Sequence, residues 1–367
     1  MVLTQSKPSQ LNVSGNLNPS FIDLRLTEKL SGFTAESSMM FAHPTRLADL
    51  YTPEVERIYL PERHYPEVTL EITAKTGNTG ERHFKSLKAK AYQGLRRTLN
   101  QVSHLDRSGQ FVFDARFDTD KNIAHVIDHI AFPVLFAKRA LTEKLGQPIT
   151  IHVILGKKAV SLATRVYETL GIPIICTDDI VHGNIVTVSS HEIYSAISDL
   201  TNIDLGEPSE PTPERIFVPR RGDRSIINNS EIANFLEQRG FVTCYFEKYT
   251  PRQQWTMMRH AKEIVIVHGA AGSHMQFNRV GLDGDGPGPA IMEIFSPYFV
   301  LRGWRHLAPL MNGKWCAVRG QITPDTVRTI DFTDWGRKLS PLLAPIKRPF
   351  HVDVDTVAMG LDYLEII

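Results

Sequence analysis

Apolar residues change their spacing along this chain in a regular way, and the changes mark its elements. Ile151–Leu155 (IHVIL) is a short run rich in branched apolar side chains. Val160, Ala163, Val166, Tyr167 and Leu170 follow at helical spacing, and Pro173–Cys176 returns to an apolar strand, which predicts a β-α-β unit. Beyond Arg215 the alternation becomes regular. Ile216–Pro219 (IFVP) reads as a strand, and a helix beginning near Asn228 keeps Ile232, Phe235 and Leu236 on one face until Gly240 closes it. Phe241–Phe246 (FVTCYF) is the next strand, and a helix capped at Thr250-Pro251 buries Trp255, Met258 and Ala261. Glu263–Val267, a small helix, Ala290–Phe295, a helix around Trp304 to Leu310, and Lys314–Val318 complete the series. Such alternation predicts a parallel sheet with helices on both faces, so this half is expected to be Rossmann-like.

The remaining segments set the expected domain limits. Residues 1–35, rich in Ser, Asn, Leu and Pro without sustained periodicity, read as an N-terminal arm. Residues 36–206 form a first α/β domain, in which strand signals from Thr69 onward mix with basic helical ones such as LKAKAYQGLRRTL, residues 87–99. DLGEPSEPTP, residues 204–213, carries three prolines among acids and separates it from a second domain at 207–330. Residues 331–367 then hold a Pro-rich crossing and a last helix with Val354, Val357, Leu361 and Leu364 in a stripe. That stripe needs a surface, and a return to the first domain would supply one.

Composition narrows the classes. A chain of 367 residues with 42% hydrophobic and 22% charged residues has material for two ordinary cores, which excludes a disordered or fibrous protein. Lys+Arg 41 against Asp+Glu 40 leaves no global field to attract nucleic acid or an anionic membrane, so any anion site must be local. Cys176, Cys244 and Cys316 are too dispersed for a disulfide framework or a zinc site, and they fit a reducing cytoplasm. The opening MVLTQSKPSQ has no apolar core for a signal peptide and no run reaches spanning length, which leaves room only for peripheral contact at the inner face of a membrane.

Three groups in the second domain suit an anionic ligand. His268-Gly269-Ala270-Ala271-Gly272-Ser273-His274 follows an apolar strand, where small residues let backbone N–H groups approach a phosphate; a tight turn would use the same residues. Glu293 comes on the next strand, at the interval where an acid meets a ribose after a nucleotide loop, or else serves as a helix cap or as the partner of Arg302 or Arg305. Arg220, Arg221 and Arg224 cluster in the first β-α loop, where they would neutralise a diphosphate without a metal, or form a solvated basic turn. In the first domain Asn122, His125, Asp128 and His129 begin an apolar helix, and their spacing of three and four puts imidazole beside carboxylate, as a general base requires. Two histidines without further ligands are a weak metal signal.

The ordered series Arg224-Ser225-Ile226-Ile227-Asn228 with Glu231, Gly240-Phe241, Tyr249 to Gln254, Ala261, His268-Gly269-Ala270 with Met275 and Phe277, and Glu293-Ile294 resembles glycosyltransferase family 61. In the first half Asn122-Ile123-Ala124-His125 and Pro133 resemble it too. The chain departs from the family in having Ala271-Gly272-Ser273-His274 after the His-Gly-Ala turn. It also departs in carrying the motif acid one residue early, as Asp128, with His129 in the usual place. The resemblance implies a GT-B architecture of two Rossmann-like domains facing a cleft, with a nucleoside-diphosphate sugar on the second domain and a glycan or other hydroxyl acceptor on the first. It implies an inverting transfer that requires no metal or other cofactor, in surface or capsular polysaccharide synthesis. His125 or Asp128 would take the hydroxyl proton and Asn122 and His129 would stand on the acceptor side. Arg220, Arg221, Arg224, Asn228 and the loop residues His268, Gly269, Ala270 and Gly272 would hold the donor, with Glu293 on the ribose.

Other classes share parts of this pattern. Asp118-Thr119-Asp120, Asp283-Gly284-Asp285 and Asp353-Val354-Asp355 would each serve a metal-dependent GT-A transferase. A nicotinamide oxidoreductase would use the loop with Glu293, although the Gly-x-Gly-x-x-Gly order is missing. A sugar-nucleotide-binding subunit without catalysis would keep the second domain and lose the chemistry of the first.

Overall fold

The computed structural model describes residues 21–79, 103–282, 286–323 and 347–367, apart from 44–45, 48–49, 52–53, 201, 207–210, 298–299 and 301–302. The chain is a mixed α/β protein with parallel strands in both of its large sheets. The strands are β1 (Asp23–Leu30), β2 (Phe33–Ala35), β3 (Ser38–Ala42), β4 (Arg46–Leu47), β5 (Leu50–Tyr51), β6 (Glu56–Leu60), β7 (Arg63–Tyr65), β8 (Val68–Asn78) and β9 (His104–Asp114). They continue with β10 (Ile151–Leu155), β11 (Ile174–Cys176), β12 (Ile180–Val188), β13 (Arg215–Val218), β14 (Val242–Thr243), β15 (Glu263–Val267), β16 (Ala290–Phe295) and β17 (Lys314–Arg319).

The first sheet runs β1-β8-β12-β9-β10-β11. Only β12, β9, β10 and β11 are parallel; β8 pairs antiparallel with both β12 and β1. The first half is therefore Rossmann-like along one side only, which corrects the expectation of two such domains. Its antiparallel strands alternate, with Leu70, Ile72 and Ala74 of β8 turned inward, as expected of a sheet with one well-covered face. The N-terminal arm is likewise corrected, because β1 is an edge strand of this sheet; residues 1–20 lie outside the described residues.

The second sheet runs β14-β13-β15-β16-β17-β3-β6. Strands β13 to β17 are parallel, as the alternation predicts, and lie in the order 2-1-3-4-5. Strands β3 and β6, expected in the first domain at 36–206, extend this sheet beyond β17, so the division at 206/207 does not separate the two sheets. The reason is burial. Phe41 belongs to the apolar cluster on one face of the sheet while Met40 joins the core on the other, and a strand that is apolar on both sides needs a sheet covered on both.

Helix α1 (Phe132–Leu145), preceded by a π-helical turn at His125–Ala131, packs on the first sheet and ends at Gly146 in the left-handed region, φ 65°. Helices α2 (Ser161–Thr169), α3 (Ile197–Leu200), α4 (Asn229–Glu237), α5 (Pro251–His260), α6 (Leu307–Leu310) and α7 (Val354–Tyr363) follow. Thr250 and Gln253 form a reciprocal capping box at the start of α5. Helix α7 does not return to the first sheet. It lies on β3, β17 and α4, with Val357 and Leu361 in the same cluster as Ile232, Leu236 and Val318. The stripe was legible; its target was decided by the second sheet, whose outer face would otherwise lie bare. The inner faces of both sheets share one core, where Phe277 stacks on Trp255 at 4.3 Å and meets Phe132 of α1 at 5.8 Å.

Candidate functional site

In the second sheet the winding reverses between β13 and β15. The loops after these two strands therefore open away from each other and leave a crevice at the strands' carboxyl ends. Arg220 and Arg224 come from the first loop, and His268 to Gly272 from the second.

Arg220 donates through Nε to the Asp223 carbonyl at 2.5 Å. Its guanidinium lies over Gly269 so closely that a Cβ there would stand 2.1 Å from Nη1. Gly272 is needed for the same reason, since a Cβ would meet Trp304 Nε1 at 1.8 Å. That indole N–H donates to the Gly269 carbonyl at 3.0 Å and pins the turn. Arg224 adopts φ 62°, uncommon for a residue other than glycine, and its N–H donates to the Lys347 carbonyl at 3.0 Å. Burial lowers the pKa of both guanidiniums, and Arg220 lowers that of Arg224 further. Two half-buried like charges held together repel, and an anion between them relieves that repulsion.

The other expected donor contacts fall elsewhere. Arg221 lies on the outside, with its guanidinium 4.1 Å over the Tyr245 ring and Nε 3.2 Å from Glu247. Asn228 spends its amide on Glu231 and on both backbone groups of Val352, which ties the C-terminal segment to α4. Glu293 is fully buried: it accepts from His268 Nδ1 at 2.5 Å, Trp304 N at 2.8 Å and Trp315 Nε1 at 3.2 Å. A carboxylate so enclosed orients His268 and presents nothing to a ribose, and this removes the feature that imitated a dinucleotide fingerprint. Of its expected ion-pair partners, Arg305 reaches the carbonyls of Glu36 and Pro61, and Arg302 lies outside the described residues.

His268 stacks on Phe295 at 4.7 Å and keeps a side-chain exposure of 12%. The Glu293 contact and the Phe295 ring together fix the orientation of the imidazole. His274 has the blander role: it is buried, accepts the Trp255 indole N–H at 2.9 Å, and burial lowers its pKa to about 3. Ala270–Phe277 forms a 3-10 helix, with Ala270 at its open end.

In the first module Asp118 accepts from His125 Nδ1 at 2.9 Å and His129 Nδ1 at 2.7 Å. Burial would raise the Asp118 carboxyl's pKa, but the Thr119 N–H and both imidazoles outweigh it and hold it below the usual range. The His191 ring lies 4.1 Å from His129. Among the described residues, Asp118, His125 and His129 are the set whose ligand atoms converge, within 4.8 Å. The two imidazole–carboxylate hydrogen bonds already account for that convergence. Asp120 is not a second chelating acid, because it accepts the Val160 N–H at 2.8 Å and opens α2. Asp353 caps α7, and Asp283 to Asp285 lie outside the described residues. Asn122 turns its side chain to the Ala124 N–H at 3.0 Å, a local cap.

Asp128 faces another way from the two histidines and accepts from the Gln276 amide of the second module. Burial raises its pKa to about 7, against the opposing pull of that amide. It borders a cavity of about 510 Å³ between the modules. Glu192 and Tyr194 line it from the first module, His268, Trp304 and His306 from the second, and Tyr65 from β7. The crevice and the cavity meet at His268. Asp118 and Gln276 escaped the sequence reading, one discounted within an Asp-x-Asp triplet and the other between Met275 and Phe277. A lone amide inside the stretch Met275-Gln276-Phe277 was the available signal, since buried polar groups require partners.

A crevice at the switch point of a parallel sheet, beside a second module with a mixed sheet, defines a two-sheet α/β protein. The model of the family Glycosyltransferase 61 matches residues 35–282, more than half of the chain, and the protein belongs to that family. Comparison with curated proteins gives no match. No helix among the described residues is long and apolar enough to cross a membrane.

Proposed function

We propose that the protein transfers a sugar, with inversion, from a nucleoside-diphosphate sugar to a hydroxyl acceptor across a GT-B-type cleft. The observation that carries this reading is the Arg220 guanidinium lying over Gly269 at the switch point of a 2-1-3-4-5 sheet. Arg220, Arg224 and the backbone from Gly269 to Gly272 take the diphosphate, so its charge is compensated in that crevice without a metal. His268, held by Glu293, stands where crevice and cavity meet and contacts the sugar or the leaving oxygen.

The acceptor lies in the cavity with its hydroxyl at Asp128. In the reaction the acceptor O–H proton passes to the Asp128 carboxylate, the oxygen bonds to the anomeric carbon, and the carbon–phosphate oxygen bond breaks. The nucleoside diphosphate leaves with the electron pair. A carboxylate close to half-ionised near neutrality suits general-base work. The acceptor fits a growing surface or capsular polysaccharide. Calorimetry with a panel of nucleoside diphosphates tests the reading: one of them should bind the wild type and bind Arg220→Ala about tenfold to a hundredfold more weakly. Equal affinity of both proteins for every member would refute it.

A further inference from the structure

We infer that Gln276 is a positioning residue for the transfer: its amide, reaching across from the nucleotide module, holds the Asp128 carboxylate as the proton-accepting group. The inference rests on the functional reading above. Asp128 and Gln276 are 148 residues apart and sit in different modules, so only tertiary structure brings them together. Gln276 is 2% exposed, and its Nε2 also donates to the Ser273 carbonyl at 3.2 Å. Both partners are acceptors, which leaves one orientation for the amide, with its NH₂ toward the carboxylate.

The surroundings keep it there. Phe277, the next residue, is wedged between Trp255 and Phe132, and Phe132 continues the same helical segment that carries Asp128. The amide and the carboxylate are thus held at two adjoining points of one packed contact. Gln276 also closes the 3-10 helix that opens at the Gly269 turn, so one rigid element bears on both the diphosphate crevice and the base.

A hydrogen bond donated to a carboxylate favours its ionised form, whereas burial favours the protonated one. The other charged or titratable groups around the cavity are Arg63, His64 and Tyr65 of β7, Glu192, Tyr194, His268 and His306. On its own element, His125 and His129 are paired with Asp118. Among the described residues, Gln276 is the side chain that donates directly to Asp128.

The test is Gln276→Met, which keeps the volume and removes the donor, measured as kcat/KM against pH for donor turnover and as the ¹³C titration of the Asp128 carboxyl in the ligand-free protein. We expect both to move upward by about one pH unit, a loss of about tenfold in kcat/KM at pH 6 that is recovered by pH 9. Should Gln276→Met not fold, Gln276→Glu is expected to raise the limb further, because a like charge opposes ionisation. A loss equal at all pH values, or an Asp128 titration unmoved in an active protein, would overturn the role of Gln276 alone. Inactivity of the wild type with every donor, with Asp128 still titrating higher in the variant, would overturn the transferase reading and the base role with it.

Discussion

Two carboxylates stand behind the cleft, one in each module, and they are satisfied in opposite ways. Glu293 has no exposed surface and takes three N–H donors, from His268, Trp304 and Trp315. Asp128 takes the Gln276 amide and borders the cavity, and burial raises its pKa to about 7. A saturated carboxylate is a fixed counter-charge that aims another side chain. One that is sparingly satisfied beside an open space can exchange a proton. Proximity to the cleft alone does not tell these roles apart; the count of donors does.

The largest expected break of this contrast is Asp128→Asn, which should lower kcat by about 10² to 10⁴ while leaving nucleotide affinity unchanged in calorimetry. Retained turnover would move the base elsewhere. Glu293→Ala should instead act on folding: with two indole or backbone N–H groups and an imidazole left unpaired, urea unfolding should report a loss of about 3 to 5 kcal/mol. A stable variant would show that Glu293 is not the structural member of the pair.

A smaller effect sharpens the comparison between neighbours. Arg221→Ala should alter nucleoside-diphosphate affinity by less than about twofold, since its guanidinium is spent on Tyr245 and Glu247, in contrast to Arg220→Ala. Stability against pH gives a further break. The Asp128 pKa rises from 3.8 in the unfolded chain to about 7 in the fold, so the unfolded state releases this proton first. Its cost to stability is absent below pH 3.8, grows between the two values and is complete above about 7. Asp128→Asn should therefore melt above the wild type at pH 8, with the gap closing towards pH 4, as differential scanning fluorimetry would record.

The second module was largely legible because its strands are covered on both faces and so read as unbroken apolar runs, separated by helices with recognisable ends such as Thr250 and Gly240. The first was less so. Its strands alternate and its sheet mixes directions; the pattern picked out the β-α-β unit at Ile151–Cys176, and only Asn122–His125 and Pro133 resembled the family, whereas the family match takes in residues 35–282. Within the site, the small-residue turn and the arginine cluster were visible as residue types. Which arginine faces the turn was not, because successive residues of a loop point in different directions and only the neighbouring strand decides which of them finds Gly269.

By itself, then, the sequence determined what is local: where strands and helices begin and end, which stripe of the last helix is apolar, and which turn admits a close neighbour. These depend on side-chain size, backbone freedom and spacing over a few residues. Only tertiary structure decided that Ser38 of β3 would bond to the Trp315 carbonyl 277 residues away, that α7 would cover the second sheet, and that Gln276 would reach Asp128. An apolar run or a buried amide states that it needs a partner, but many partners satisfy that need equally until packing in three dimensions leaves one.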